Sequence, residues 1–166
     1  MTSVDKALVG QYGVYHVASL LCWKGYNAVP TSRNTKAVDL IVHNPRNDKS
    51  VGIQVKTLRQ QRKRDPSKDG YAIINVIPEK MNEVKDKFSN PFVFVYIPTG
   101  EKPNPRCFIV PKEDVFKLCK EQWERYVRES KHRESTNEIA KRRQVLGILV
   151  KELESYENKW DQLGLE

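Results

Sequence analysis

Residues 38–58, VDLIVHNPRNDKSVGIQVKTL, limit the fold more than any other stretch of this chain. Residues 38–43 are rich in β-branched and long apolar side chains, and residues 51–58 return to an alternating pattern. Between them Asn44, Pro45, Arg46, Asn47 and Asp48 are turn formers, so the spacing predicts two strands joined by a polar turn. Side chains two apart on a strand share a face, which groups Gln54 with Lys56 and turns Ile53 and Val55 toward a core.

The polar residues of this hairpin have a chemical logic. Asp39 can hold a divalent metal through a hard oxygen, the amide oxygen of Gln54 can be a second ligand, and Lys56 can orient a water or a phosphate. A plainer reading fits the same residues: Asp39 caps a strand, while Gln54 and Lys56 lie on a solvated face. Spacing alone leaves both open.

The run VDLIVHN, a turn, and then VGIQVKT resembles the PD-(D/E)XK, or restriction-endonuclease-like, nuclease superfamily, in which an acidic residue is followed by (D/E/Q)-x-K. It is similar to small prokaryotic or phage-type members carrying "DLI…QVKT". The resemblance extends to GVYHVASLLCWKGYNAVP and, more weakly, to FVFVYIP, CFIVPKEDV and LESYENKWDQLGL. It implies an α/β/α sandwich around a central mixed sheet, followed by C-terminal helices. It also implies Asp39, Gln54 and Lys56 as catalytic residues, with Mg²⁺ (or Mn²⁺) on Asp39, Gln54 and the backbone carbonyl of Val55. Many members place a Glu after a glycine on the first helix. Matching Gly13 to that glycine puts Val14 in the Glu position, and Gln11, about one turn earlier, is the substitute ligand considered.

A chain of 166 residues suits one domain with a real core. We read residues 4–128 as that core and 129–166 as a basic loop with a docking C-terminal helix. Hydrophobic residues make up 39% and charged residues 30%, a balance that excludes a disordered chain. No apolar run approaches the ~20 residues of a membrane span, and the N-terminus does not read as a signal peptide. Cys22, Cys107 and Cys119 form neither a disulfide framework nor a zinc pattern, so all three are expected to be small buried hydrophobes in a cytoplasmic protein.

The first helix is expected over residues 4–24, stopped by Gly25, with Leu8, Tyr12, Tyr15, Val17, Ala18, Leu20 and Leu21 on its apolar stripe. Gly10 and Gly13 weaken a helix, which points to close backbone packing. Residues 26–30 and 71–77 read as strands, and 78–89 as a short helix or long turn. Residues 92–97, FVFVYI, read as a buried central strand, and 107–110 as the last clear strand. Pro111 opens a helix whose Val115, Leu118, Cys119, Trp123 and Tyr126 face inward. A final helix pattern carries Leu153, Tyr156, Trp160 and Leu163, with Trp160 docking the tail.

A net charge of +8 suits a nucleic-acid partner. The polar loop TSRNTKA offers Arg33 and Lys36 to phosphates. The run LRQQRKRDPSKDG, leaving directly from the Lys56 strand, offers Arg59, Arg62, Lys63 and Arg64. Each also reads as a solvated loop, as does KHRESTNEIAKRRQ. The expected function is a Mg²⁺-dependent DNA endonuclease of recombination, restriction or mobile-element biology, without a small-molecule cofactor and without a membrane. A homodimer suits the cutting of two strands. The alternative is a catalytically silent nucleic-acid-binding domain, or a regulatory subunit of a defence or mobile-element complex; Val14 and Gln54 favour it.

Overall fold

The computed structural model describes residues 5–32, 38–59, 71–74, 90–98, 104–130 and 146–166. Asp5 caps helix α1 (Lys6–Trp23), its Oδ1 accepting from Ala7 N at 2.9 Å. At the other end Gly25 adopts φ +89°, a left-handed backbone that glycine enters without a Cβ penalty. Gly25 N then donates to Cys22 O and Tyr26 N to Leu21 O, the paired bonds of a Schellman stop. The glycine expected to end this helix does so.

Strand β1 (Asn27–Pro30) pairs antiparallel with β2 (Leu40–Asn44), and β2 with β3 (Lys49–Arg59). Between β2 and β3 the Asn44 side chain accepts from Arg46 N at 3.0 Å and Asp48 takes φ +61°, so the polar cluster closes the hairpin as its composition predicts. Strand β3 then pairs in parallel with β5 (Phe92–Ile97), which pairs antiparallel with β6 (Arg106–Val110). The main sheet is therefore five-stranded and mixed, in the order β1-β2-β3-β5-β6. All six residues of β5 are buried, in keeping with an apolar run covered on both faces.

Alternation along these strands divides the core in two. On one face Ile53, Val55, Leu40, Val42, Val93, Val95 and Ile109 pack with Val17, Ala18 and Leu21 of α1. On the other, Leu58, Phe92, Phe94, Tyr96, Phe108 and Val110 meet Val115 and Cys119 of helix α2 (Lys112–Ser130). Leu118 and Trp123 pack at the rim of that second cluster. The Tyr126 side chain lies outside the described residues. The result is an α/β architecture with the mixed sheet between α1 and α2.

Several expectations are corrected. Leu8, Tyr12 and Tyr15 are 58%, 44% and 57% exposed; the buried side of α1 is instead Gly13, Val17, Ala18 and Leu21. The helix is apolar on both sides, so its pattern could not say which side packs. Cys22 is exposed, whereas Cys107 and Cys119 are buried, and burial raises both of their thiol pKa values to about 12.

Residues 107–110 are not the last strand. Strand β4 (Tyr71–Ile74) pairs with β7 (Leu146–Leu149) in a separate two-stranded sheet. The last helix is also short: α3 (Val150–Leu153) gives way to 3₁₀ turns at Glu154–Tyr156 and Trp160–Leu163. Backbone pairing with β6 competes with the helix here, through a Phe108–Glu157 bridge and Asn158 N donating to Cys107 O at 2.9 Å. Asn158 takes φ +55° at the break. Trp160 packs beside the α1 cluster, and Leu163 and Leu165 are buried in it. Asn44 Nδ2 and Asn47 Nδ2 donate to Leu165 O at 2.7 and 3.0 Å, which fixes the tail to the β2–β3 turn.

Arg106 clamps the same tail bidentately, Nε to Glu157 Oε1 at 2.8 Å and Nη2 to Oε2 at 2.6 Å. Hydrogen bonding to Arg106 lowers the Glu157 pKa, so the folded state favours the ionised carboxylate. This contribution is present above the ordinary glutamate pKa and is lost as pH falls through the depressed folded value. The melting-temperature gap between wild type and Arg106→Gln is therefore expected to be constant near neutrality and to close in acid. Thermal melts across that range check it, and a gap independent of pH would contradict it.

Among the described residues no helix is long and apolar enough to cross a membrane.

Candidate active site

Of the hairpin residues singled out in the sequence, Asp39 contacts β3 where β2 leaves it. Leu40 is the register partner of Ile53, yet Asp39 N also reaches Ile53 O, at 2.8 Å. Two residues thus face one, the arrangement of a β-bulge, which bends a strand and re-aims a side chain. Here it brings the Asp39 carboxylate to the edge of β3, where Oδ2 accepts from Val55 N at 2.8 Å. The preceding segment is tied back as well. Thr31 N donates to Asp39 O at 3.0 Å, and Thr31 Oγ1 to Val38 O at 2.6 Å.

On the other edge of β3, Gln54 N donates to Pro91 O at 3.0 Å. Gln54 stands beside Phe92 and Lys56 beside Phe94 in the parallel register, and Phe92 and Phe94 stack with centroids 5.8 Å apart. Gln54 and Lys56 are half-buried, with Val55 between them turned into the opposite core. The predicted sharing of a face by Gln54 and Lys56 is thus what the ladder produces. Among the described residues no ion pair engages Lys56.

The metal chemistry open to these residues follows from their donors. Asp39 Oδ2 is oriented by Val55 N. The N–H and C=O of one strand residue leave by the same edge, so the Val55 carbonyl lies on the Asp39 side. The Asp39 carboxylate, the Val55 carbonyl and the Gln54 amide are all oxygen donors, a set whose chemistry suits Mg²⁺ better than a soft metal. Among the described residues there is no group of three or more His, Cys, Asp or Glu able to hold a metal. Asp39 is the carboxylate of the set, and substrate phosphate oxygens complete such a site in many Mg²⁺ enzymes.

The other candidates separate from this cluster. Gln11 is exposed on α1, and Val14 packs against the α1-side core. Arg59 ends β3, with its side chain outside the described residues. Arg33, Lys36, Arg62, Lys63 and Arg64 lie outside them altogether, as do residues 75–89 and 131–145. The approach of Gly13 to Thr57, directly after Lys56, is a contact that the pattern hinted at without naming its partner. A Cβ on Gly13 would lie 1.8 Å from Thr57 Oγ1.

Asp39 also has a structural duty, since its carboxylate replaces the acceptor that β2 would have supplied to Val55 N. Asp39→Ala is expected to lower stability by about 1–3 kcal/mol, the cost of an orphaned, partly buried donor. Asp39→Asn, which retains an acceptor oxygen, is expected to cost less. Urea denaturation of the two variants checks this, and equal losses would remove the Val55 bond as a stabilising contact.

Comparison with family models, with curated proteins and with solved structures returns no match. The fold therefore defines a class only: an α/β protein with a five-stranded mixed sheet and helices on its faces.

Proposed function

We propose that this protein is a metal-dependent nuclease of the PD-(D/E)XK type, hydrolysing phosphodiester bonds in DNA. The observation that carries the reading is the hydrogen bond from Val55 N to Asp39 Oδ2 at 2.8 Å. It brings the only acidic residue of the motif against the strand that bears Gln54 and Lys56. The order β1-β2-β3-β5-β6, with β3 and β5 parallel and α1 covering one face, agrees with a restriction-endonuclease-like core.

Phosphodiester hydrolysis needs charge stabilisation at the scissile phosphate and a positioned water. Lys56 supplies a fixed positive charge, its stem steadied beside Phe94 and its head directed at the attacked phosphate. Asp39, Gln54 and the Val55 carbonyl would hold Mg²⁺, which when bound supplies Lewis-acid polarisation of the phosphate. Gln54, a neutral donor, orients without adding negative charge. The net charge of +8 favours approach of a polyanion.

The experiment is cleavage of plasmid, linear, branched and single-stranded DNA with Mg²⁺ or Mn²⁺, beside a chelator control. Cutting that requires the metal is the expected result. A second reading, a nucleic-acid-binding domain without catalysis, is favoured by the single carboxylate of the donor set. Salt-sensitive binding without cutting on any substrate would select it.

A further inference from the structure

We propose that the outer face of α1 is the contact surface of a two-fold homodimer, seated on Leu8, Tyr12, Tyr15 and Trp23. At 3.6 residues per turn these four fall on one side of the helix, opposite Gly13, Val17 and Leu21, which pack on the sheet. They are 58%, 44%, 57% and 91% exposed. Tyr12 is held by His16, the rings stacked 5.8 Å apart and 6° from parallel. Aromatic side chains present apolar area at little cost in side-chain entropy, which is what interface anchors do.

Charge distinguishes the occupant. From Ala7 to Trp23 no residue carries a formal charge, in a chain that is 30% charged and +8 overall. Burial lowers the pKa of His16, which favours its neutral ring. A nucleic acid would be met by lysines and arginines, and an interfacial membrane helix would carry them along its polar face. In a chain of net charge +8 a second copy is repelled overall, but it meets no like charge between Ala7 and Trp23. An isologous contact needs just such a self-compatible patch.

Area agrees. Aromatic side chains present ~150–250 Å² each, so the four exposed residues contribute on the order of 500 Å² per copy. Gln11, Ser19 and Cys22 on the same side bring this toward the ~800 Å² per partner of a standard interface. The face also lies across the sheet from Gln54 and Lys56, so a partner on α1 leaves the candidate active site open. The proposal does not depend on that site being catalytic.

Sedimentation equilibrium of the full chain is expected to show a reversible dimer at micromolar concentrations. Tyr15→Glu and Trp23→Glu are each expected to raise its dissociation constant on the order of a hundredfold or more, because each substitution enters a two-fold interface twice. Both side chains are largely exposed, so melting of the variants under monomeric conditions should match wild type and exclude misfolding. A monomeric wild type would overturn the proposal, and so would a dimer insensitive to both substitutions. A wild type that is monomeric but loses DNA binding on either substitution would assign the row to nucleic acid instead.

Discussion

Lys56→Ala is expected to slow DNA cleavage roughly a hundred- to a thousandfold, the usual effect of removing one preorganised stabiliser of transition-state charge. DNA affinity should change far less, since one lysine is a small part of a +8 surface. Lys56 stands beside Phe94, so truncation also removes packing along its stem. Lys56→Met keeps that packing and removes only the charge, and it should be as inactive as the alanine variant. Asp39→Asn, with the Val55 N bond retained, should be inactive as well while melting near wild type. Single-turnover cleavage and filter binding on the same DNA separate these effects. Full cleavage by Lys56→Met would refute the assignment of the site.

The second large effect concerns two glycines of one helix with opposite fates. Glycine to alanine inside a helix ordinarily stabilises by up to about 1 kcal/mol. At Gly10, where an added Cβ meets nothing within 4 Å, Gly10→Ala should show that gain. At Gly13 the added Cβ would lie 1.8 Å from Thr57 Oγ1 and 2.9 Å from Thr57 Cβ. Helix and strand must then move apart, so Gly13→Ala is expected to destabilise by about 1–3 kcal/mol, as overpacked cores do. Thr57→Ala removes the closest atom and should return part of that loss, a coupling that a double-mutant cycle reads directly. If Gly10→Ala and Gly13→Ala shift the denaturation midpoint equally, the close approach of α1 to β3 is wrong. Because Thr57 follows Lys56, cleavage by Gly13→Ala should fall with stability through displacement of β3.

The hairpin was legible in the sequence because every local signal agrees on it. Alternation, a cluster of turn formers and two apolar runs of strand length fix β2, β3 and the facing of Ile53 and Val55. The fully apolar run at residues 92–97 likewise specifies a covered strand, and Gly25 a helix stop. Asp39, Gln54 and Lys56 could be chosen as a group from strand periodicity and chain resemblance. That the carboxylate would reach Val55 N could not, because it depends on a bulge where β2 leaves β3, and one-residue offsets leave no trace in composition.

Only the tertiary structure decided which side of α1 is buried. Its apolar residues encircle the helix, so periodicity carried no direction, and the choice fell to the face where Gly13 lets the backbone sit against Thr57. The tail followed the same logic. Its apolar spacing reads as one helix, but β6 offered unpaired backbone groups and Arg106 a partner for Glu157, and those non-local bonds broke it into turns. The sequence by itself determined the β2–β3 hairpin, the buried strand at residues 92–97 and the facing of Gln54 and Lys56. Long-range pairing decided the bulge, the buried helix face and the path of the C-terminus, because those free energies belong to contacts between segments far apart in the chain.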